Sequence, residues 1–298
     1  MDQSITLKSI KLPNEETMSY REAGKGNKIM ILVHGNMTSS KHMEILMKEF
    51  LDQYKIYAVD LRGFGKSTYN KRIDSLKDFS DDIKLFVDAM GLKDFVMMGW
   101  STGGGVAMQF IADYPGYVSN LILLESVGIK GYPMFRKDEN GQPILTELIS
   151  SKEDIEKDPI QVAPVLQAYA TKNKEYMRTL WNMAIYTKNK PEDNLYEEYL
   201  EDMMTQRNLV DVDYALVNFN MSNEHNGVVK GNGLVDKIDI PTLVFQGDRD
   251  YVVPREMGEE IVRGIGKNAK LVILEDSGHS PLIDCMDRLV KEIKQFLR

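Results

Sequence analysis

The chain has 298 residues, and a rough prior of about 150 residues per domain allows two domains or one large α/β unit. Lys plus Arg number 37 against 45 Asp plus Glu, and the formal net charge of −8 argues against a phosphate backbone or an anionic membrane surface as the main partner. A hydrophobic content of 43% with 28% charged residues excludes a disordered or fibrous chain.

Taken in order, the first half alternates short β-rich runs with longer amphipathic ones. The runs are Ile5 to Leu12, Met18 to Glu22, Ile29 to Val33, Lys55 to Val59, Phe95 to Met98 and Leu121 to Leu124. The last four are almost uniformly apolar, as strands buried on both faces of a parallel sheet are. Helical patterns fill the gaps over Lys41 to Tyr54, Leu76 to Met90 and Gly103 to Tyr114, the last stopped by Pro115. The rhythm halts near Ser126. It returns at Thr242 to Gln246, then Ile261 to Gly264, Leu271 to Leu274 and a terminal helix over Leu282 to Phe296.

Between these halves, the stretch from Val127 to Asp236 reads as helical, punctuated by Pro143, Pro159, Pro164 and Pro191, with no convincing strand. Tyr169, Tyr176, Trp181, Tyr186, Tyr196 and Tyr199 crowd into it. The expected architecture is a doubly wound, mostly parallel sheet flanked by helices. Residues 1–126 and 236–298 form its core, and a helical cap at 127–235 is inserted after the sixth strand.

No apolar run approaches the roughly 18 to 20 residues that span a bilayer. The start, Met1 to Leu12, lacks the basic tip and apolar stretch of a secretory signal. Cys285 is the single cysteine, so no internal disulfide forms and a reducing, cytoplasmic setting fits.

One motif carries chemistry. Gly99-Trp100-Ser101-Thr102-Gly103 is G-x-S-x-G between an expected strand and an expected helix. The chain must reverse so sharply at the serine that only small residues fit two positions either side, which leaves Oγ standing at the carboxyl end of the sheet. A serine hydroxyl needs a base. His279, in Glu275-Asp276-Ser277-Gly278-His279-Ser280-Pro281, follows the last strand and so ends at the same edge.

The imidazole in turn needs a carboxylate. Asp248 and Asp250 compete for that role in the loop after Thr242 to Gln246, with Asp250 better placed to reach the next loop; Glu125, ending the sixth strand, is a third candidate. Oxyanion donors are expected from the backbone of Thr102 and of Asn36 in His34-Gly35-Asn36-Met37, with Met37 the alternate. His34 is expected to support that loop by hydrogen bonding.

These segments, with Asp60-Leu61-Arg62-Gly63-Phe64-Gly65-Lys66-Ser67, follow the order and spacing of the α/β-hydrolase superfamily, which the chain resembles outside the insertion. The resemblance implies a triad of Ser101, Asp250 and His279 beneath a helical cap. His34-Gly35-Asn36 with Thr38-Ser39-Ser40 looks like the oxyanion loop of haloalkane dehalogenases, but those enzymes need a carboxylate where Ser101 stands. The Gly-Trp-Ser-x-Gly-Gly box also resembles intracellular polyhydroxybutyrate depolymerases of bacilli, which implies 3-hydroxybutyrate esters as one substrate class.

Other signals carry less. Gly65-Lys66-Ser67 lacks the first glycine of a P-loop, since Asp60 occupies that position. Gly264-Ile265-Gly266 precedes a strand where a dinucleotide fingerprint would follow one. His42 and His225 read as isolated surface residues, and Glu192 to Asp202 as a solvated helix face. The expected partner is a small ester with no cofactor, metal, nucleic acid or membrane span. A slow-turnover ligand receptor on the same fold is the rival reading, and oligomeric state is not legible.

Overall fold

A computed structural model describes residues 4–298. The first three residues, part of the stretch read for a signal segment, lie outside the described ones.

Eight strands form one sheet: β1 (Thr6–Lys11), β2 (Thr17–Ala23), β3 (Lys28–Val33), β4 (Tyr54–Val59), β5 (Phe95–Trp100), β6 (Val118–Leu124), then β9 (Thr242–Gly247) and β10 (Ala269–Leu274). Their order is β1-β2-β4-β3-β5-β6-β9-β10, and all pairs from β4 to β10 are parallel. β1 and β2 pair antiparallel at one edge.

The period of two is visible in the core. On β5, Val96, Met98 and Trp100 join one apolar cluster while Phe95 and Met97 join the other. Helices α2 (Leu76–Ala89), α3 (Thr102–Asp113) and α9 (Arg255–Ile265) contribute to one cluster. The other receives α1 (Glu44–Met47) and the carboxyl-terminal α10 (Pro281–Asp284) and α11 (Met286–Phe296).

Between β6 and β9 lie five α-helices: α4 (Lys152–Glu156), α5 (Ala163–Thr171), α6 (Lys174–Ala184), α7 (Asp193–Met203) and α8 (Leu209–Val217). The tyrosines of this stretch are largely packed inward: Tyr186, Tyr196 and Tyr199 are buried in a cluster that also holds Met30, Leu32 and Met98 of the sheet. One apolar cluster therefore runs from sheet to insertion.

Four expectations need correction. The insertion contains a hairpin, β7 (Phe135–Lys137) and β8 (Pro143–Leu148), which escapes pattern reading because it has no buried face; Leu145 is 72% exposed. The single helix expected over Lys41 to Tyr54 is a 3₁₀ turn at Ser40–Met43, the one-turn α1, and turns. Tethers from Ser39 to Asp202 and from Ser40 to Asp60 hold that first turn. The terminal helix is interrupted at Cys285, whose φ of −151° is not helical. Ile261 and Gly264 belong to α9.

The fourth correction is His42. It is buried, stacked on Tyr199 with ring centroids 4.0 Å apart, and its Nδ1 lies 3.3 Å from Asp202 Oδ2. Asp202 thereby leaves the solvated face expected of α7. His225 is exposed.

Candidate active site

Five neighbouring strands finish at one edge, and the loop after each delivers a residue there: His34 to Met37 after β3, Ser101 after β5, Glu125 after β6, Asp250 after β9 and His279 after β10.

The turn at Ser101 is strained, with φ 56° and ψ −120°, and glycine is required on both sides of it. A Cβ on Gly99 would sit 2.3 Å from Gly103 O, and one on Gly103 2.4 Å from Val33 O. Ser101 N donates to Leu124 O at 2.9 Å, which keeps the turn in line with the sheet. α3 begins at Thr102, so its first backbone N–H groups have no partner within the helix and point at the reaction edge.

His279 is 4% exposed and is held on both sides. Its backbone carbonyl accepts from Trp100 Nε1 at 2.9 Å, and its Nδ1 lies 2.8 Å from Asp250 Oδ2. With Nδ1–H donating to the carboxylate, Nε2 is the acceptor. Asp250 Oδ1 accepts from the backbone N–H groups of Val252 at 2.7 Å and Val253 at 2.9 Å. Burial works against ionisation of Asp250, but the His279 imidazole and these two N–H groups outweigh it and hold the carboxyl below its usual range.

Glu125 and Asp248, the other acids weighed from sequence, do different work. Glu125 is fully buried, and its Oε2 accepts from Gly247 N at 2.8 Å and Gln246 Nε2 at 3.0 Å. Burial first, and the adjoining Asp250 charge second, push its carboxyl far above the usual range, which favours its neutral form. Its Oε1 has no hydrogen-bond partner among the described residues. Asp248 is exposed and accepts from Ser277 N at 3.3 Å.

On the β3 side, His34 ties the loop down: its Nε2 accepts from Leu61 N at 3.0 Å and its Nδ1 donates to Gly35 O at 2.7 Å. Asp60 accepts from Ser40 N and Lys66 N, both at 2.9 Å, so the Asp60 to Ser67 segment buttresses this loop. The Met37 N–H, the alternate donor, is occupied by Asn36 Oδ1 at 3.0 Å and Gln206 Oε1 at 3.1 Å. The Asn36 N–H has no acceptor among the described residues. A Cβ on Gly35 would lie 3.0 Å from Ser101 Cβ, which measures how closely the loop approaches the serine.

Ser101, Thr102, Asn36, Trp100 and His279 share the wall of one cavity of about 310 Å³. α6 contributes Leu180, Trp181 and Ala184, and Ile185 follows at its carboxyl end, while Asp213 and Leu216 come from α8. Three groups at the site were not legible in sequence. Trp100 anchors His279, and Gln206 fixes the Asn36 side chain through Nε2 at 2.8 Å. Asp213 accepts from Asn36 Nδ2 at 3.1 Å. Tertiary contacts alone distinguish Asp213 from its neighbour Asp211.

The family model described as the alpha/beta hydrolase fold matches residues 28–284. The chain belongs to the alpha/beta hydrolase family. It is 26% identical over 293 residues to the AB hydrolase superfamily protein YisY of Bacillus subtilis, covering 96% of this chain and 97% of that one. It is 25% identical over 301 residues to Lipase 3 of a Moraxella species, covering 98% and 84%. The structure of the esterase EaEST from Exiguobacterium antarcticum superposes with a TM-score of 0.74 at 17% identity, covering 98% of this chain and 99% of that one. Among the described residues of this hydrolase, no helix is long and apolar enough to cross a membrane, and no group of three or more His, Cys, Asp or Glu side chains could hold a metal.

Proposed function

We propose that this alpha/beta hydrolase is a serine carboxylic-ester hydrolase working through an acyl-enzyme. Ser101 is the nucleophile, His279 the base and Asp250 the acid that fixes the imidazole. The observation that carries the reading is the 2.8 Å contact from His279 Nδ1 to Asp250 Oδ2, with His279 lining the same cavity as Ser101.

Ser101 Oγ attacks the ester carbonyl carbon as His279 Nε2 takes its proton. The oxyanion is held by the N–H groups of Thr102 and Asn36, and its collapse expels the alcohol, which receives the proton from His279. Water then repeats the cycle on the acyl-enzyme, its proton passing to His279 and on to Ser101, and the acid leaves. Asp250 stays ionised throughout and stabilises the imidazolium.

The segment 127–235 acts as the cap, and its α6 residues give the cavity an apolar wall suited to a small or medium acyl chain. Esters of 3-hydroxybutyrate are the proposed substrate class, in line with the Gly99 to Gly104 box and the polar groups of Asn36 and Asp213 on the same wall. The lone Cys285 suits a reducing, cytoplasmic compartment.

A panel of p-nitrophenyl esters, run beside 3-hydroxybutyrate oligomers with the wild-type chain and with Ser101→Ala, tests the reading. Turnover that the substitution abolishes supports it. A chain that binds these esters without turning them over is the receptor instead.

A further inference from the structure

The steps just described leave one carboxyl group of the cavity unused. Asp213 lines it, and among the described residues its one hydrogen bond comes from Asn36 Nδ2. The nearby acids are differently placed. Asp211 receives Arg72 and Lys152, both at 2.7 Å, and Asp158 receives Lys137 at 2.9 Å. No such cation reaches Asp213 among the described residues, and neither lysine nor arginine lines the cavity.

A carboxyl group enclosed this way lacks the partner that ionisation requires. Burial first, then the Asp158 charge, push it up to about 7 against the opposing pull of Asn36. A donor arriving with the substrate would supply what the fold withholds. The position is also specific: Asn36 presents its backbone N–H to the oxyanion of the proposed mechanism and its side chain to Asp213, so the carboxyl stands one side-chain length from the reacting carbonyl.

Resting on the serine-hydrolase reading, we propose that Asp213 is a substrate-binding residue that selects esters carrying a hydrogen-bond donor, hydroxyl or ammonium, a few bonds from the scissile carbonyl, and rejects esters carrying a carboxylate there. The apolar α6 wall takes the remaining hydrocarbon.

The test compares kcat/KM for ethyl butyrate and its 3-hydroxy, 3-amino and 3-carboxy derivatives at pH 8, with a second series carrying the same groups on the alcohol portion. In the wild type, one series should place the hydroxyl and ammonium esters above the unsubstituted one, and the carboxylate ester about tenfold or more below it. Asp213→Asn retains an acceptor for Asn36 Nδ2 but removes the charge, and should shrink the ammonium-to-carboxylate ratio by about tenfold. Asp213→Ser is the second variant.

A ratio unchanged in both variants overturns the proposal. So does a wild type that takes the carboxylate ester as readily as the ammonium ester, a result independent of whether any variant folds. The underlying reading is judged separately: Ser101-dependent turnover without the ranking refutes only the role of Asp213, whereas no turnover of any ester removes the hydrolase reading and this inference with it.

Discussion

Glu125 and Asp250 bury their carboxyl groups against one another at the ends of adjacent strands, and it is Asp250 that contacts the imidazole of His279. Two ionised carboxylates so placed would repel strongly, and burial decides which keeps the proton. Glu125, with no cation beside it among the described residues, favours the neutral form, while His279 and two backbone N–H groups favour the ionised form of Asp250. We expect Asp250→Asn to lower kcat by about 10⁴. Glu125→Gln keeps an acceptor for Gly247 N and offers an N–H to Asp250, so kcat should stay within about tenfold of wild type. Equal losses in steady-state kinetics would show that the charge is shared.

The turn at Ser101 leaves no room for a methyl group at Gly103, where a Cβ would meet the carbonyl oxygens of Val33 at 2.4 Å and His34 at 2.5 Å. Backbone cannot move aside as a flexible side chain does. Gly103→Ala should destabilise the fold by about 3 kcal/mol or more, read as a lower urea midpoint in circular dichroism. An unchanged midpoint would mean the turn is looser than described.

What was legible in the sequence followed from steric necessity and repetition. The four apolar strand runs and the glycines around Ser101 have a single physical explanation each, and chain order then brings Asp250 and His279 to the same edge. His42 misled because burial of a histidine depends on partners distant in sequence, here Asp202 and Tyr199. The β7–β8 hairpin misled because its strands lack a buried face, the feature that periodicity detects. Asp213 shows no local signal at all. On α8 it looks like any acid, and only the folded chain separates it from the paired Asp211.

Burial of His42 has a consequence for acid stability. Burial, its largest influence, pulls its pKa below the ordinary value despite the Asp202 carboxylate, and Asp202 itself is held low. The unfolded chain therefore binds protons that the folded chain refuses. Stability is full above the ordinary histidine pKa of about 6.5 and falls as the pH drops below it. We expect the melting temperature to decline across that interval, and less steeply in His42→Gln. A melting temperature that does not change on acidification would contradict this.

Asp213 is pushed up to about 7; it accepts from Asn36 and interacts through its charge with Asp158, which pairs with Lys137, and with Tyr132 and Tyr169, whose hydroxyls donate to Val252 O and Gln206 Oε1. Its raised pKa means that it gains charge as the pH rises through that value. The preference for an ammonium ester over its unsubstituted parent should therefore grow from pH 6 to pH 8, and should lose this slope in Asp213→Asn. The stability sign is opposite to that of His42: the folded chain holds a proton the unfolded chain has released, so this group weakens the fold as the pH rises from about 4 to 7. A pH-independent preference would place the substrate donor elsewhere.

The central claim is a covalent bond at Ser101, and intact-mass spectrometry after brief exposure to a p-nitrophenyl ester measures it directly. The account predicts a transient mass increase equal to the acyl group, mapped by peptide digestion to Ser101, absent in Ser101→Ala and prolonged in His279→Ala after slow loading. Ester turnover with no acyl adduct, or with an adduct on another residue, would contradict it.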